Sequence, residues 1–368
     1  MAEIGIAVAK IFFFIFIFVF NTAALLTWVE RKQSAVMQDR VGANRAAILG
    51  LRAWGLFHIA ADSLKMFFKE DFTPRGAERF LFSIAPGITM FFALVAFAAI
   101  PFADKLVIGG REIGMQIANM NVGVLYVFAA MSMAVYGVVI GAWASNNNYA
   151  LIGGLRAAAQ MISYEVAIGV SIIGVLMVYQ TVDLQHIVRA QGRFFEFDTF
   201  SFLSGWIPKW GLFVQPLGFL LFLTTGIAET KRIPFDAPEG ESEIIGYHVE
   251  FSSMRFGMYF LTDLIETVLI GAITITLFLG GWQVPYLMPD GFHFPWGSTL
   301  TLSNLTVTIL QFLSFSLKMV VLMWFMMIIR WTLPRFRYDQ VMFLGWKILL
   351  PVALANIVIT AAVILFLE

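Results

Sequence analysis

Two ionisable residues stand where an apolar helix ordinarily excludes them. Glu165 is the single charge in the run AQMISYEVAIGVSIIGVLMV. A charge at the centre of a bilayer costs about 2.5–3.5 kcal/mol on insertion scales. A carboxyl kept there usually faces a hydrated interior and relays protons, although one a turn or two inside can also snorkel to water. Lys318 sits at the middle of QFLSFSLKMVVLMWFMM, so its ammonium needs a carboxylate or a water path. Glu229, Asp263 and Glu266 add acids in or near two further apolar segments. Several acids and a lysine inside one bundle make a hydrated path along which protons exchange.

A second group of acids lies in the loop IPFDAPEGESEIIGYHVE. Asp236, Glu239, Glu241, Glu243 and Glu250 fall within fifteen residues, uninterrupted by lysine or arginine, and Lys231 and Arg232 precede them. A solvated loop would account for such a run. Pro234, Pro238 and the aromatic residues among the acids argue instead for a stiff, packed segment.

The basic stretch ERKQSAVMQDRVGANR carries Arg31, Lys32, Arg40 and Arg45. Membrane topology explains several of these, but not the segment that follows. In Leu51–Glu70, His58, Asp62, Lys65 and Lys69 recur at helical spacing. Phe57, Ala60, Leu64, Phe67 and Phe68 form an apolar stripe roughly opposite. This periodicity predicts an amphipathic helix lying in the membrane interface or against a partner. A generic surface anchor would read the same way.

Familiar catalytic signatures are missing: no phosphate-cradling loop, no dinucleotide-binding glycine motif and no paired-histidine metal motif. The chain has no cysteine, which excludes disulfides, a thiolate nucleophile and an iron–sulfur cluster on its own thiolates. Its four histidines do not pair at ligand spacing, so a haem-binding cytochrome does not fit and no metal site is expected.

These residues need a membrane bundle to hold them. Of 368 residues, 60% are hydrophobic and 13% charged, and mean hydropathy is +0.82. Soluble domains carry roughly 25% charged residues. A spanning helix needs about 20 apolar residues. Eight segments qualify, about 11–29, 81–103, 121–143, 159–180, 211–229, 256–281, 305–329 and 343–367. The first is longer than the core of a signal peptide and ends in Glu30-Arg31-Lys32, so it reads as a retained span. Lysine and arginine number 17 in the connections about 30–80, 144–158, 230–255 and 330–347, against six on the other side. The positive-inside rule therefore puts these even-numbered connections in the cytoplasm and both termini outside. The expected fold is an all-α polytopic membrane protein with about eight transmembrane helices plus an amphipathic interfacial helix, as one domain over 1–368. Period-2 alternation is absent, so strands do not compete for the spans.

Four long segments resemble, in family order, the H-type subunit of respiratory complex I, called subunit 1 in mitochondria. They are ERK with QDRVGANR and AADSLKMFFKED, then GAWASNNNYALIGGLRAAAQMISYE, then AETKRIPFDAPEGESEIIGYHVEFS leading into TLFLGGW, and RWTLPRFRYDQVMFLGWKILLP. The resemblance implies a tilted bundle of mostly eight spans in the membrane arm of a proton-translocating NADH:quinone oxidoreductase, in the bacterial inner (plasma) membrane. It implies a quinone substrate, ubiquinone or menaquinone, in a chamber shared with soluble subunits. FMN and iron–sulfur clusters would lie only in those partners. Quinone would reach the chamber between the first and sixth spans and the amphipathic helix. Small membrane subunits and antiporter-like subunits would be further partners, and no nucleic acid is implied.

By the same resemblance, Arg31, Arg40, Asn44, Arg45, Asp62 and Lys65 would form the chamber and its mouth. They would orient the neutral head group and stabilise the anionic forms that arise on reduction. Glu165, Glu229, Asp236, Glu239, Glu241, Glu243, Glu250 and Lys318 would form the acidic loop and the proton path. Arg330, Arg337 and Asp339 read as structural. Two departures stand out: Ala43 replaces a common proline, and Asp263 replaces a usual glutamate, keeping the carboxylate with a shorter reach.

Related subunits of membrane-bound hydrogenases and coenzyme F420 dehydrogenases are an alternative; the RYDQ and acidic-loop segments look more like the quinone enzymes. A stand-alone secondary transporter would predict inverted repeats and broken midplane helices, which the sequence does not display. A purely structural anchor would not need Glu165 and Lys318 inside the membrane.

Overall fold

In the computed structural model the described residues are 2–194, 206–240, 243–294 and 297–367. Among them, seven helices are long and apolar enough to cross a membrane. In chain order they are α1 (Glu3–Met37), α3 (Arg79–Ala99), α4 (Gly123–Ala144), α5 (Asn148–Tyr179), α9 (Ser253–Phe278), α10 (Asn304–Thr332) and α11 (Tyr338–Phe366). Between them come the interfacial helix α2 (Phe57–Phe68), the short helix α6 (Leu184–Gln191), the single turn α7 (Gly211–Val214) and α8 (Pro216–Glu229).

The eighth expected span, 211–229, is the one that length alone does not satisfy. It is broken at Gln215, where φ is −134° and ψ 62°. Pro216 follows, and proline pushes its predecessor out of the helical region. The 14 residues of α8 reach about 21 Å, against a hydrocarbon core of about 30 Å. Buried polar groups brace the break: Gln215 donates to Thr360 at 2.7 Å and accepts from Asn356 at 3.1 Å.

Three boundaries differ from the expectation. The fourth span begins at Asn148, where the Asn147 side chain caps the helix by accepting from the Tyr149 amide. Arg156 therefore lies on a helix rather than in a loop. The first span carries a π-helical stretch at Phe12–Val19. The amphipathic helix starts at Phe57 rather than Leu51, because Ala53, Trp54 and Gly55 all have positive φ. Gly55 is required there, since a Cβ would run into the carbonyl of Ala43.

Among the described residues, strands occur only in the connections opposite the lysine- and arginine-rich side. β1 (Lys105–Ile108) pairs with β2 (Arg111–Gly114), and β3 (Leu287–Met288), β4 (Gly291–His293) and β5 (Thr299–Thr301) form a small antiparallel sheet. At the centre of the bundle is α9, whose apolar window is 89% buried, while that of α1 is 11% buried. α1 thus presents Phe12, Phe13 and Phe16 outward while Phe14 turns into the core, and α9 packs on protein nearly all round. Small residues let α3 and α4 approach: a Cβ on Gly137 would collide with Thr89.

Candidate functional site

α2 is held against the bundle at both ends. Trp28 donates its indole N–H to the Trp54 carbonyl at 3.1 Å. Ser252 and Ser253, at the start of α9, donate to the carbonyls of Glu70 and Met66, each at 2.8 Å. This leaves a cavity between α1, α2 and α9, adjoined by a second between α1, the loop that follows it, α9 and α10. One, of about 510 Å³, is lined by Phe20, Ala24, Ile59, Met66, Phe67 and Leu261 among others. The other, of about 520 Å³, is lined by Glu30, Ser34, Arg40, Gly42, Ala43 and Trp331 among others. Thr27, Arg31 and Phe260 belong to both walls.

Arg31 and Asp62 form an ion pair of 2.6 Å at that junction. Arg40 lines the second cavity and donates to Gln38 at 2.7 Å. Lys65 lines the first. Asn44 is half-buried in the loop between α1 and α2, and the Arg45 side chain is exposed. The Arg45 amide donates to Nε2 of His58 at 3.2 Å, which ties that loop to α2. Arg31, Arg40, Asp62 and Lys65 thus come together around the cavities, while Asn44 and Arg45 shape the loop beside them.

Glu30, read from sequence as part of a topology signal, turns inward instead. It pairs with Arg330 at 2.8 Å and with Arg232 at 3.4 Å. Arg335 pairs with Asp236 at 2.7 Å. Arg337 pairs with Asp339 at 3.1 Å on the exposed surface. The cavity wall is therefore continuous with an arginine cluster that faces the acidic loop.

The acidic loop is packed, not solvated. Gln160, fully buried on α5, donates to the carbonyls of Ala228 and Phe235 at 2.8 and 2.7 Å. Burial pushes the Asp236 carboxyl up to about 6, although Arg335 and Arg330 pull it down. Withdrawal from water, and the negative charges of Asp263 and Asp236, push Glu239 well above the usual carboxylate range, with Lys231 opposing. Glu243 reaches Arg156 at 2.8 Å and Glu250 accepts from Asn147 at 2.6 Å. Those two pin the rim of the loop to the start of α5. Glu241 lies outside the described residues.

Glu229, at the end of α8, is 3% exposed, and its Oε2 finds no hydrogen-bonding partner among the described residues. The charges of Glu165 and Glu266 act on it, as does that of Lys231. Glu165 is half-buried on α5 and accepts a hydrogen bond from Ser132 of α4. A row of acids thus runs from Glu165 through Glu229 and Glu266 to Asp263, Glu239 and Asp236.

Lys318 is elsewhere. The expectation set it against a carboxylate or water, and the structure gives it protein carbonyls. Its ammonium donates to Leu279, Gly281 and Gln283 at 2.8, 2.9 and 2.7 Å, and lies 4.6 Å from the centre of the Trp210 ring. The cause is the end of α9: Gly280 and Gly281 take positive φ, turning successive carbonyls towards one point.

Sequence reasoning missed Glu30, Arg232 and Lys231 as members of this site. Their only sequence signal was charge next to apolar runs, and their partners lie 32 to 300 residues away.

Comparison with known proteins agrees with this architecture. A family model described as NADH dehydrogenase matches residues 9–361. The H 1 subunit of the NADH-quinone oxidoreductase of Cytophaga hutchinsonii is 44% identical over 340 residues, 92% of this chain and 91% of that protein. The corresponding H subunit of Flavobacterium psychrophilum is 43% identical over 347 residues, 93% and 92% of the two chains. The H 2 subunit of Geobacter sulfurreducens is 42% identical over 363 residues, 98% and 96%. With a family match across nearly its whole length, this multi-pass membrane chain belongs to the NADH dehydrogenase family represented by these H subunits.

Proposed function

We propose that this chain is the H-type membrane subunit of a bacterial NADH:quinone oxidoreductase, forming much of the quinone chamber and coupling quinone reduction to proton translocation. The observation that carries the reading is the continuity at Glu30. The same residue lines the second cavity, which adjoins the one under α2, and pairs with the arginines that face the acidic loop.

The cavity suits a lipophilic substrate with a polar head. Phe20, Ile59, Phe67 and Leu261 offer apolar wall for a tail, and Arg31 with Asp62 offers a charged junction for the head. Arg40 and Lys65 would add positive potential, favouring anionic forms over the neutral quinone. Reduction of a quinone to a quinol takes up two electrons and two protons. The electrons would come from an iron–sulfur partner, since this chain has no cysteine. Of the groups beside the chamber, Asp236 and Glu239 are the ones that enclosure holds ready to exchange protons near neutrality or above. A change of charge at the quinone would reach them through Glu30, Arg232, Arg330 and Arg335. Glu229 and Glu165 would carry the consequence into the membrane, towards antiporter-like partners. In this reading the even-numbered connections face the cytoplasm of a bacterial inner membrane.

The test is purification of the tagged chain in mild detergent. Soluble iron–sulfur subunits and quinone-dependent NADH oxidation are expected to come with it. A chain that purifies alone and transports a solute in liposomes would overturn the reading.

A further inference from the structure

One buried charge belongs neither to the quinone chamber nor to the row of acids. Lys231 is 1% exposed. It lies two residues beyond α8, after Thr230, with a positive φ of 55° that turns its side chain away from the helix it leaves. Nζ lies 2.9 Å from Oδ1 of Asp263 and 3.5 Å from Oε2 of Glu266, two carboxylates one turn apart on α9. It also sits 5.6 Å from the centre of the Tyr247 ring, which belongs to the far end of the acidic loop. Glu239 of that loop, Glu229 of α8 and Tyr259 of α9 all lie within its electrostatic reach. Arg232, the next residue, points away to Glu30 and acts on Glu266 as well.

A lysine this deep stays protonated only if partners compensate it. Burial acts against its charge, and Asp263 and Glu266 outweigh that, with Glu239 adding to them, so the ammonium is held above the range of an ordinary lysine. It is therefore a permanent cation at working pH. The geometry around it is uneven. Two carboxylates face one ammonium, and Oδ1 of Asp263 as well as both oxygens of Glu266 lack a hydrogen-bonding partner among the described residues. One negative charge is left over at the middle of the acid row.

We propose that Lys231 is a fixed internal counter-charge of the acid row: pairing with Asp263 and Glu266 together, it offsets one of their two charges between Glu239 and Glu229. The proposal rests on the proton-coupling reading given above and names the residue that sets the row's charge. Lys231 acts through its carboxylate neighbours and is a positioning residue. It does not itself exchange the proton.

The charge-balance logic gives a test that steric roles do not mimic. Removing one partner of a buried pair leaves the other uncompensated, while removing both together is far milder. Membranes carrying the assembled enzyme would be compared as wild type, Lys231→Met and Lys231→Met with Asp263→Asn. Quinone-dependent NADH oxidation and the proton gradient it builds would be read from pH 5.5 to 9. NADH oxidation by an artificial acceptor at the flavin would report the amount of assembled enzyme. Lys231→Met is expected to lower gradient formation at least tenfold at neutral pH, and the double variant to recover most of it. In the double variant Glu239 loses the opposing charge of Lys231 and also the larger raising effect of Asp263, so Glu239 takes up its proton at lower pH. The acidic limb of its pH profile is therefore expected to move to lower pH than that of wild type. The inference is overturned if Lys231→Met pumps within twofold of wild type. It is equally overturned if the double variant recovers no more than the single one, whether through lost assembly or lost turnover, or recovers with an unmoved profile. A wild-type enzyme without quinone-dependent activity would sink the functional reading instead, so the two failures are distinguishable.

Discussion

Two lysines withdrawn from water pack against α9, one near its middle and one at its C-terminal end, and the protein treats them in opposite ways. Near the middle Lys231 meets carboxylates, Asp263 and Glu266. At the C-terminal end Lys318 meets three main-chain carbonyls and the face of Trp210. Carboxylates titrate and carbonyls do not. The first environment can change its charge, and the second can only hold a cation or lose it. Carbonyls at a helix C-terminus also carry the negative end of the helix dipole, which stabilises a cation without any proton partner. Charge inside a bilayer is therefore not one kind of signal. Where the ammonium finds acids it sits among groups that can titrate, and where it finds backbone it closes a helix end.

The largest effect that tests this contrast is on the acid side. Glu165→Gln keeps the size of the side chain and removes its titration. Proton pumping coupled to quinone reduction is expected to fall at least tenfold, with NADH oxidation by artificial acceptors unchanged. Unaltered pumping would take Glu165 out of the row. Next comes Lys318→Met, which strips donors from three carbonyls. An unpaired buried acceptor costs about 1–3 kcal/mol. Ser314 still donates to Gln283, so two carbonyls are left unpaired, and the purified enzyme is expected to lose roughly 2–6 kcal/mol of stability, with the protons pumped per electron unchanged. A lower proton yield at undiminished stability would move Lys318 into the path and erase the contrast.

A smaller effect concerns pH. The folded value of Asp236, about 6, exceeds its ordinary value of 3.8. The folded loop thus binds the proton more tightly than the unfolded chain, and this contribution is complete below the ordinary value. It is lost as pH rises through about 6. Hydrogen-exchange protection of the acidic loop, corrected for intrinsic rate, is expected to weaken between pH 5 and 7. In Asp236→Asn that dependence is expected to flatten. A loop whose protection strengthens over the same range would reverse the assignment.

Much of the site was legible because chemistry type is local. Glu165 was conspicuous for being alone in an apolar run, and the prolines and aromatics around Asp236 and Glu239 argued for a packed loop. The stripe His58–Asp62–Lys65 marked an interfacial helix by period alone. Other features stayed hidden for a physical reason: they depend on partners far away in the chain. Glu30 and Arg330 are 300 residues apart, yet their side chains are 2.8 Å apart. Glu30 next to Arg31 and Lys32 looked like part of a topology signal until the fold brought α10 to it. The break in the expected fifth span had a visible cause in Pro216. Its bracing by Asn356 and Thr360 did not, because those residues come from the last helix.

By itself the sequence determined that this is a bundle of membrane helices with lysine and arginine gathered on one side, since apolar run length and lysine–arginine placement need no knowledge of contacts. It also determined which residues carry charge where lipid would refuse it. Only the tertiary structure decided which of those charges face acids, which face carbonyls and which line a cavity. An ionisable group takes its role from its neighbours' charge and from its access to water, and both are set by helices packed side by side from distant parts of the chain.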